Sequence, residues 1–242
     1  MLPSKNNGFS ILLFIAAILK GISLCSAESN LHILSMPSTQ NDKYKTYLAL
    51  GDSYTIGESI PAAESYPVQA VKRLRQSGIH FLDPQIIATT GWTTSDLLSA
   101  LNNTKFSGSY DFVSLLIGVN NQYQGRSKIE YEKEFTMLLQ QSILLAGNRP
   151  DHVIVLSIPD YSITPFARNS DMSLIASEID AFNLINKKIA ADYHTQYISV
   201  TEESRKALHD PSLIASDGLH FSGKEYAIWA GMLSAMILED EE

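Results

Sequence analysis

Side chains of the types used in serine-based acyl transfer occur in two segments of this sequence. Ser53 follows the apolar run Tyr47–Leu50 after a Gly-Asp pair, which predicts a hydroxyl in a turn just past a buried strand. Asp217 precedes His220 in a glycine-containing loop, at a spacing that lets the carboxylate accept from imidazole Nδ1–H while Nε2 faces a hydroxyl. Taken separately, each segment is also compatible with an ordinary surface turn.

Apolar runs and amphipathic segments alternate from residue 46 onward. The runs predicted as strands are Tyr47–Leu50, Gln85–Ala88, Phe112–Ile117, His152–Ile158 and Tyr197–Val200. The segments predicted as helices are Tyr66–Gln76, Ser95–Leu101, Ser127 to Gly147, Leu174–Ala191 and a last helix from near Ser222. This order predicts an α/β fold, a three-layer α/β/α sandwich with a central, mostly parallel five-stranded sheet.

Polar residues follow four of the predicted strands or their connections. Ser53 comes after the first strand, Gly91 after the second and Asn120 after the third, while Asp217 and His220 follow the fifth strand and a short helix. Parallel strands end at one edge of their sheet, and ligands of open α/β sheets collect outside the carboxyl ends. These residues are therefore predicted to meet in one site.

The segment Gly51–Gly57 distinguishes two kinds of serine hydrolase. Thr55 stands where the G-x-S-x-G elbow of α/β-hydrolases needs its second glycine, so that fold is disfavoured. The segment instead resembles the first block of the SGNH (GDSL) hydrolase family, Gly-Asp-Ser-x-Thr-x-Gly. Gly91, Asn120 and the Asp-x-x-His near the C-terminus resemble later blocks of that family in the same order.

The resemblance implies a flavodoxin-like sandwich that acts as an esterase or lipase. Ser53 would be the nucleophile, His220 its general base and Asp217 the group that orients the imidazole. The backbone N–H groups of Ser53 and Gly91 and the amide of Asn120 would form the oxyanion hole. Such chemistry needs no metal and no cofactor.

The chain departs from the family pattern in two places. Asn121 stands where the third block usually has aspartate, which bears on how Asn120 is supported. The residues before Gly91 also differ from the usual Asn-Ala-Gly, with an Ile-Ile-Ala run before the Thr-Thr pair. Neither departure touches the predicted triad.

The substrate is the least determined feature. Trp92, Tyr123 and Tyr161 lie on loops near the predicted sheet edge and are candidates for substrate binding, although aromatic loop residues are often packing residues. A lipid ester, a short-chain ester and an acetylated sugar all fit, as does acyl transfer to an acceptor other than water. A non-catalytic secreted binding protein on the same scaffold is the alternative from another class.

The first 27 residues are predicted to be a signal peptide. Lys5 precedes the apolar stretch Ile11–Leu19, and Cys25-Ser26-Ala27 is a small-residue cleavage site, so an exported protein beginning at Glu28 is expected. The stretch is short for a membrane-spanning helix, although an uncleaved anchor is an alternative. Lipid attachment at Cys25 is another. Residues 28–45 are then a leader segment, and residues 46–242 one hydrolase domain.

The charge and cysteine content exclude several classes of partner. Cleavage after residue 27 leaves 16 basic and 26 acidic residues, a formal charge of −10, whereas nucleic-acid binding needs clustered cations. It also removes the sole cysteine, so the mature chain has neither a disulfide framework nor a cysteine metal site. A small-molecule ester is the expected partner, with no nucleic acid and no stable membrane insertion.

Overall fold

The computed structural model describes residues 44–240 as an α/β fold. Its strands are β1 (Tyr47–Gly51), β2 (Gln85–Ala88), β3 (Phe112–Leu116), β4 (Val153–Leu156) and β5 (Gln196–Ile198). Its α-helices are α1 (Ser53–Ile56), α2 (Tyr66–Gln76), α3 (Thr94–Asn103), α4 (Val119–Tyr123), α5 (Lys128–Leu145), α6 (Met172–Asp192), α7 (Thr201–Arg205) and α8 (Gly223–Asp240). The predicted fold class is confirmed.

The five strands form one sheet in the order β2-β1-β3-β4-β5, and every neighbouring pair is parallel. The residues of β1, β3 and β4 are all buried, because helices cover both faces of a parallel sheet. The strand order reverses between β1 and β3. In sheets with this order, ligands bind in the crevice outside the carboxyl ends of these two strands.

The helices form two layers, which follow from the strand order. The chain steps from β1 to β2 in one direction and then back past β1 toward β5, so right-handed crossovers place α2 on one face and α3, α5 and α6 on the other. The packing agrees with this arrangement, since α2 packs on α8 while α5 packs on both α3 and α6.

Side chains cap the starts of α3 and α5. Thr93 caps α3 in a capping box with Asp96, and the Ser127 hydroxyl accepts from Glu130 N–H at the start of α5, as its spacing predicts. The start of α8 differs. Ser222 Oγ donates to the Ser212 carbonyl, and the buried Glu225 carboxylate accepts from Trp229 Nε1–H at 2.7 Å.

An aromatic cluster around Trp229 joins α8 to the strand ends. Its indole lies 6.4 Å from the ring of Tyr54 and 5.5 Å from the ring of Phe221, measured between centroids. Tyr54 follows Ser53 in the chain, and Phe221 follows His220. The packing of these rings therefore fixes the backbone next to both Ser53 and His220.

The N-terminal predictions fall outside the part of the chain that the structure describes. This applies to the signal peptide of residues 1–27, to Cys25, and to the leader of residues 28–45 except its last two residues. Lys45 at the end of that leader already donates its N–H to the His80 carbonyl at 2.7 Å. Within residues 44–240, no helix is both long and apolar enough to cross a membrane.

Candidate active site

Ser53 is the first residue of α1, directly after β1. The Asp52 side chain caps this short helix by accepting from Tyr54 N–H at 3.0 Å. Only glycine fits at position 51, because a Cβ there would lie 2.4 Å from the Leu116 carbonyl oxygen and 2.1 Å from Thr55 Oγ1. The sharp turn that presents the serine is therefore built from the Gly-Asp pair before it.

Asp217 and His220 form a direct pair. His220 Nδ1 lies 2.6 Å from Asp217 Oδ2, and the N–H groups of Leu219 and His220 donate to the other carboxylate oxygen at 2.9 and 3.0 Å. Gly218, with φ of 72°, allows the loop to fold back in this way. The contact sets the tautomer with hydrogen on Nδ1 and leaves Nε2 as the acceptor.

A further residue, Ser59, completes the surroundings of Asp217 by donating from its hydroxyl to Oδ2 at 2.7 Å. Partial burial acts to raise the pKa of Asp217, but the hydrogen bonds from His220, the Leu219 N–H and Ser59 outweigh it. The pKa of this carboxyl consequently lies well below its ordinary value, so it is ionised throughout the neutral range.

The three predicted oxyanion donors lie around one cavity. Ser53, Gly91 and Asn120 all line it, together with His220. Asn120 Nδ2 donates one hydrogen to the Trp92 carbonyl at 2.9 Å, which leaves its second amide hydrogen for a ligand. Gly91 has φ of 84°, a backbone conformation that favours glycine.

Asn121, which stands where the family pattern usually has aspartate, has a structural role. Its side chain is fully buried and forms two hydrogen bonds with Thr94, accepting from the backbone N–H at 3.0 Å and donating to Oγ1 at 2.7 Å. These bonds tie α4 to the start of α3. The two adjacent amides thus point in different directions, and only that of Asn120 reaches the cavity.

The cavity has a volume of about 250 Å³ and mostly apolar walls. Its lining residues besides the predicted polar groups are Tyr54, Thr90, Val119, Tyr123, Tyr161, Phe166 and Leu219. Tyr123 and Tyr161 thus lie where the sequence analysis placed them. Trp92 does not line the cavity; it is half-buried, and its ring packs against the core.

One hydrogen bond and mutual ring packing hold the aromatic wall formed by Tyr123, Tyr161 and Phe166. The Tyr161 hydroxyl donates to Gln122 Oε1 at 2.9 Å, and the three ring centroids lie 6.1 to 6.4 Å apart. Tyr123 remains 61% exposed and Phe166 48% exposed. The wall therefore has a rigid buried end and an open apolar rim.

One group of potential metal ligands occurs among the described residues, at the opposite edge of the sheet. Atoms of Asp151, His152 and Asp240 lie within 4.8 Å of one another. His152 Nδ1–H donates to the Asp111 carbonyl at 2.7 Å, its ring stacks on Phe112, and Nε2 lies 3.3 Å from Asp240 Oδ2. This cluster is far from the cavity, because Asp151 and His152 precede β4 whereas the cavity lies beyond the carboxyl ends of the strands.

Several site residues were not identified from the sequence. Glu58, Ser59 and Thr90 contact predicted site residues or their neighbours, and Val119 and Leu219 line the cavity. The only available signal was that each lies within a few residues of a motif position.

Comparisons with known proteins agree with this arrangement. The sequence profile of the GDSL-like Lipase/Acylhydrolase family matches residues 49–228, whereas no curated protein matches the sequence. Among solved structures, the lipase/acylhydrolase from Enterococcus faecalis is 18% identical, with a TM-score of 0.62 over 81% of this chain and 94% of its own. The acetylxylan esterase Axe2 from Geobacillus stearothermophilus is 20% identical, with a TM-score of 0.61 over 80% and 94%.

A member of the lipolytic G-D-S-L family from Veillonella parvula is also similar, at 19% identity and a TM-score of 0.59 over 80% and 96% of the two chains. At such identities the solved structures show the fold alone. The profile match covers most of the sequence, and it includes the nucleophile segment and the Asp-x-x-His loop. The chain therefore belongs to the GDSL-like lipase/acylhydrolase, or SGNH, family.

Proposed function

We propose that this family member hydrolyses carboxylic esters of short acyl chains through an acyl-serine intermediate. The observation that carries the proposal is the convergence on one small cavity of Ser53, the Asp217–His220 pair and the donors at Gly91 and Asn120. Each group is of the chemical type that acyl transfer requires, and their presence around the same cavity supports the proposal.

The reaction follows from these groups. His220 Nε2 takes the proton of Ser53 as Oγ attacks the ester carbonyl, and the negative charge that develops on oxygen meets the N–H groups of Ser53 and Gly91 and the Asn120 amide. The tetrahedral intermediate collapses to the acyl-serine and expels the alcohol, which takes the proton from His220. Water then attacks the acyl group, gives its proton to His220 and releases the acid, returning the proton to Ser53.

The size and chemistry of the cavity favour a short acyl group. At about 250 Å³ it is smaller than the ~300–1,000 Å³ typical of drug-sized ligand sites. Val119, Tyr161 and Leu219 give it apolar walls, whereas Tyr123 and Phe166 extend the apolar surface to an exposed rim. An acetyl or similarly short chain would fit within the interior, and the alcohol part, such as a sugar ring, would lie against the aromatic rim.

A panel of substrates tests this proposal. Aryl esters of graded acyl length should give the highest kcat/KM at two to four carbons and a steep fall beyond, and acetylated sugars should be assayed beside them. Rates that rise steadily to long-chain esters would refute the short-acyl proposal. Products should also be analysed with an alcohol acceptor present, because an acylated acceptor would identify an acyltransferase.

Labelling tests the nucleophile separately. A serine-directed phosphonate should modify the wild-type protein at Ser53 and leave Ser53→Ala unmodified. Binding of an ester analogue with neither labelling nor turnover would instead support a non-catalytic binding protein.

We also propose that the enzyme is exported. The support is the sequence of residues 1–27 alone, with its positive flank, short apolar stretch and small-residue cleavage site. Lipid attachment at Cys25 remains the competing hypothesis for the same segment.

A further inference from the structure

Thr89, Thr90 and Gly91 are exposed, and no atom lies within 4 Å of the point that a Cβ on Gly91 would occupy. The Gly91 N–H nevertheless has to stay fixed relative to Ser53, because donors of an oxyanion hole act only at hydrogen-bond distance from the developing charge. Packing at Gly91 itself does little to fix this N–H, so the hydrogen bonds of its neighbours matter. One of them closes the turn, where the Trp92 N–H donates to the Thr89 carbonyl at 3.2 Å.

The residues on either side of Gly91 each have such a bond. On the C-terminal side, the Trp92 carbonyl accepts from Asn120 Nδ2 at 2.9 Å, and the Trp92 ring packs on the core. On the N-terminal side, the Thr90 hydroxyl donates to the Glu58 carboxylate. Gly91 thus lies between two hydrogen-bonded neighbours. Trp92 is bound to Asn120, the third oxyanion donor, and Thr90 is bound to Glu58.

Glu58 is in turn attached to the nucleophile. Its backbone N–H donates to the Ser53 carbonyl at 3.0 Å, directly after Gly57 closes α1 with φ of 74°. The main chain of Glu58 is therefore tied to Ser53, and its side chain is tied to the neighbour of Gly91. Within residues 44–240, Glu58 thus adds a side-chain link between the segments that carry the two backbone donors, beyond the pairing of β1 with β2.

We infer that Glu58 is a positioning residue that sets the separation between the N–H groups of Ser53 and Gly91, through its bond to Thr90. The inference rests on the proposed function, in which these two groups stabilise the oxyanion. Glu58 does not have to contact the substrate, since it acts through the backbone on both sides. Without this bond the Gly91 N–H would be less well positioned. This would weaken stabilisation of the transition state more than binding of the ester.

Substitutions on both sides of the bond test the inference. Glu58→Ala and Thr90→Val should each lower kcat roughly tenfold with KM nearly unchanged, because misplacement of a catalytic donor by a fraction of an ångström has effects of this order. Glu58→Gln should retain most of the activity, since its amide oxygen still accepts from Thr90. The double variant Glu58→Ala/Thr90→Val should be no slower than either single variant, because both remove one interaction.

Thr136→Val provides the control, because it removes a half-buried threonine hydroxyl that bonds within α5, and it should leave kcat unchanged. Unchanged kcat in both Glu58→Ala and Thr90→Val would overturn the inference. Losses that multiply in the double variant, or that appear in KM, would overturn it as well. If Glu58→Ala fails to fold, Thr90→Val and Glu58→Gln still decide the question.

The same measurements separate this inference from the proposed function. If the link is unimportant, the wild-type protein hydrolyses esters and the variants match it. If the proposed function is wrong, the wild-type protein itself gives no turnover and no phosphonate labelling at Ser53.

Discussion

Asp52, the residue before the nucleophile, should make stability strongly dependent on pH. Its carboxyl is fully buried, Oδ1 accepts from Tyr54 N–H, and Oδ2 has no hydrogen-bond partner among the described residues. Burial raises the pKa of Asp52 to about 7, although backbone hydrogen bonds act in the opposite direction. The substitution Asp52→Asn keeps the acceptor for Tyr54 but removes the titration.

The expected size of the effect follows from the shift. A tenfold change in an equilibrium constant corresponds to ~1.4 kcal/mol, so a rise from 3.8 to about 7 amounts to about 4 kcal/mol. The raised pKa means that the folded protein holds a proton that the unfolded chain loses between pH ~4 and ~7. This contribution to the free energy of unfolding is complete below pH ~4, declines as the pH rises to ~7, and is absent above.

The assay is urea unfolding of wild type and Asp52→Asn at several values of pH from 4 to 9. We compare the free energy of unfolding of Asp52→Asn with that of wild type at each pH. Between pH 4 and pH 8 this difference should shift in favour of the variant by up to about 4 kcal/mol. Asp83→Asn serves as the control for the loss of one carboxylate, because the Asp83 side chain is 90% exposed. A difference between Asp52→Asn and wild type that stays constant with pH would refute the reasoning.

Three further predictions concern the site and the N-terminus. His220→Ala should lower kcat by ~10³-fold or more with an aryl acetate as substrate, and a variant that keeps the wild-type rate would remove the imidazole from the mechanism. Asn120→Ala should lower kcat by ~10²–10³ with little change in KM. Asn121→Ala should mainly lower Tm, because the Asn121 amide is buried against α3. The reverse result would show that the wrong amide has been assigned to the oxyanion hole. N-terminal sequencing of exported protein should begin at Glu28, whereas a lipid-modified Cys25 would establish a lipoprotein.

The central strands β1, β3 and β4 were predictable because a parallel sheet buries both of their faces, so they appear as nearly continuous apolar runs. The bounds were most in error for two strands: β4 spans Val153–Leu156 and not His152–Ile158, and β5 spans Gln196–Ile198 and not Tyr197–Val200. His152 belongs to a short 3₁₀ turn, and Ser157 Oγ accepts from the N–H groups of Val200 and Thr201 just past the strand end. The local sequence pattern does not show where side-chain hydrogen bonds of this kind replace the hydrogen bonds between strands.

The grouping of Ser53, Gly91, Asn120 and His220 was also predictable. Each follows a strand, or the connection after one, and strands of a parallel sheet end on one edge, so order along the chain implies proximity. The assignment of Trp92 to substrate binding had no comparable basis. An aromatic residue on a loop can face either the core or the cavity, and the packing of this ring against the core was decided by the whole fold.

The amino-acid sequence by itself determined the elements, their order and the chemical groups at the strand ends, because these depend on local periodicity and on the direction of parallel strands. Only the tertiary structure decided how the groups are held. The bond of Ser59 to Asp217 joins residues 158 positions apart, and that of Thr90 to Glu58 joins residues 32 apart. Serine, threonine and glutamate are ordinary surface residues, so their roles arise from which partners the folded chain brings within hydrogen-bond distance.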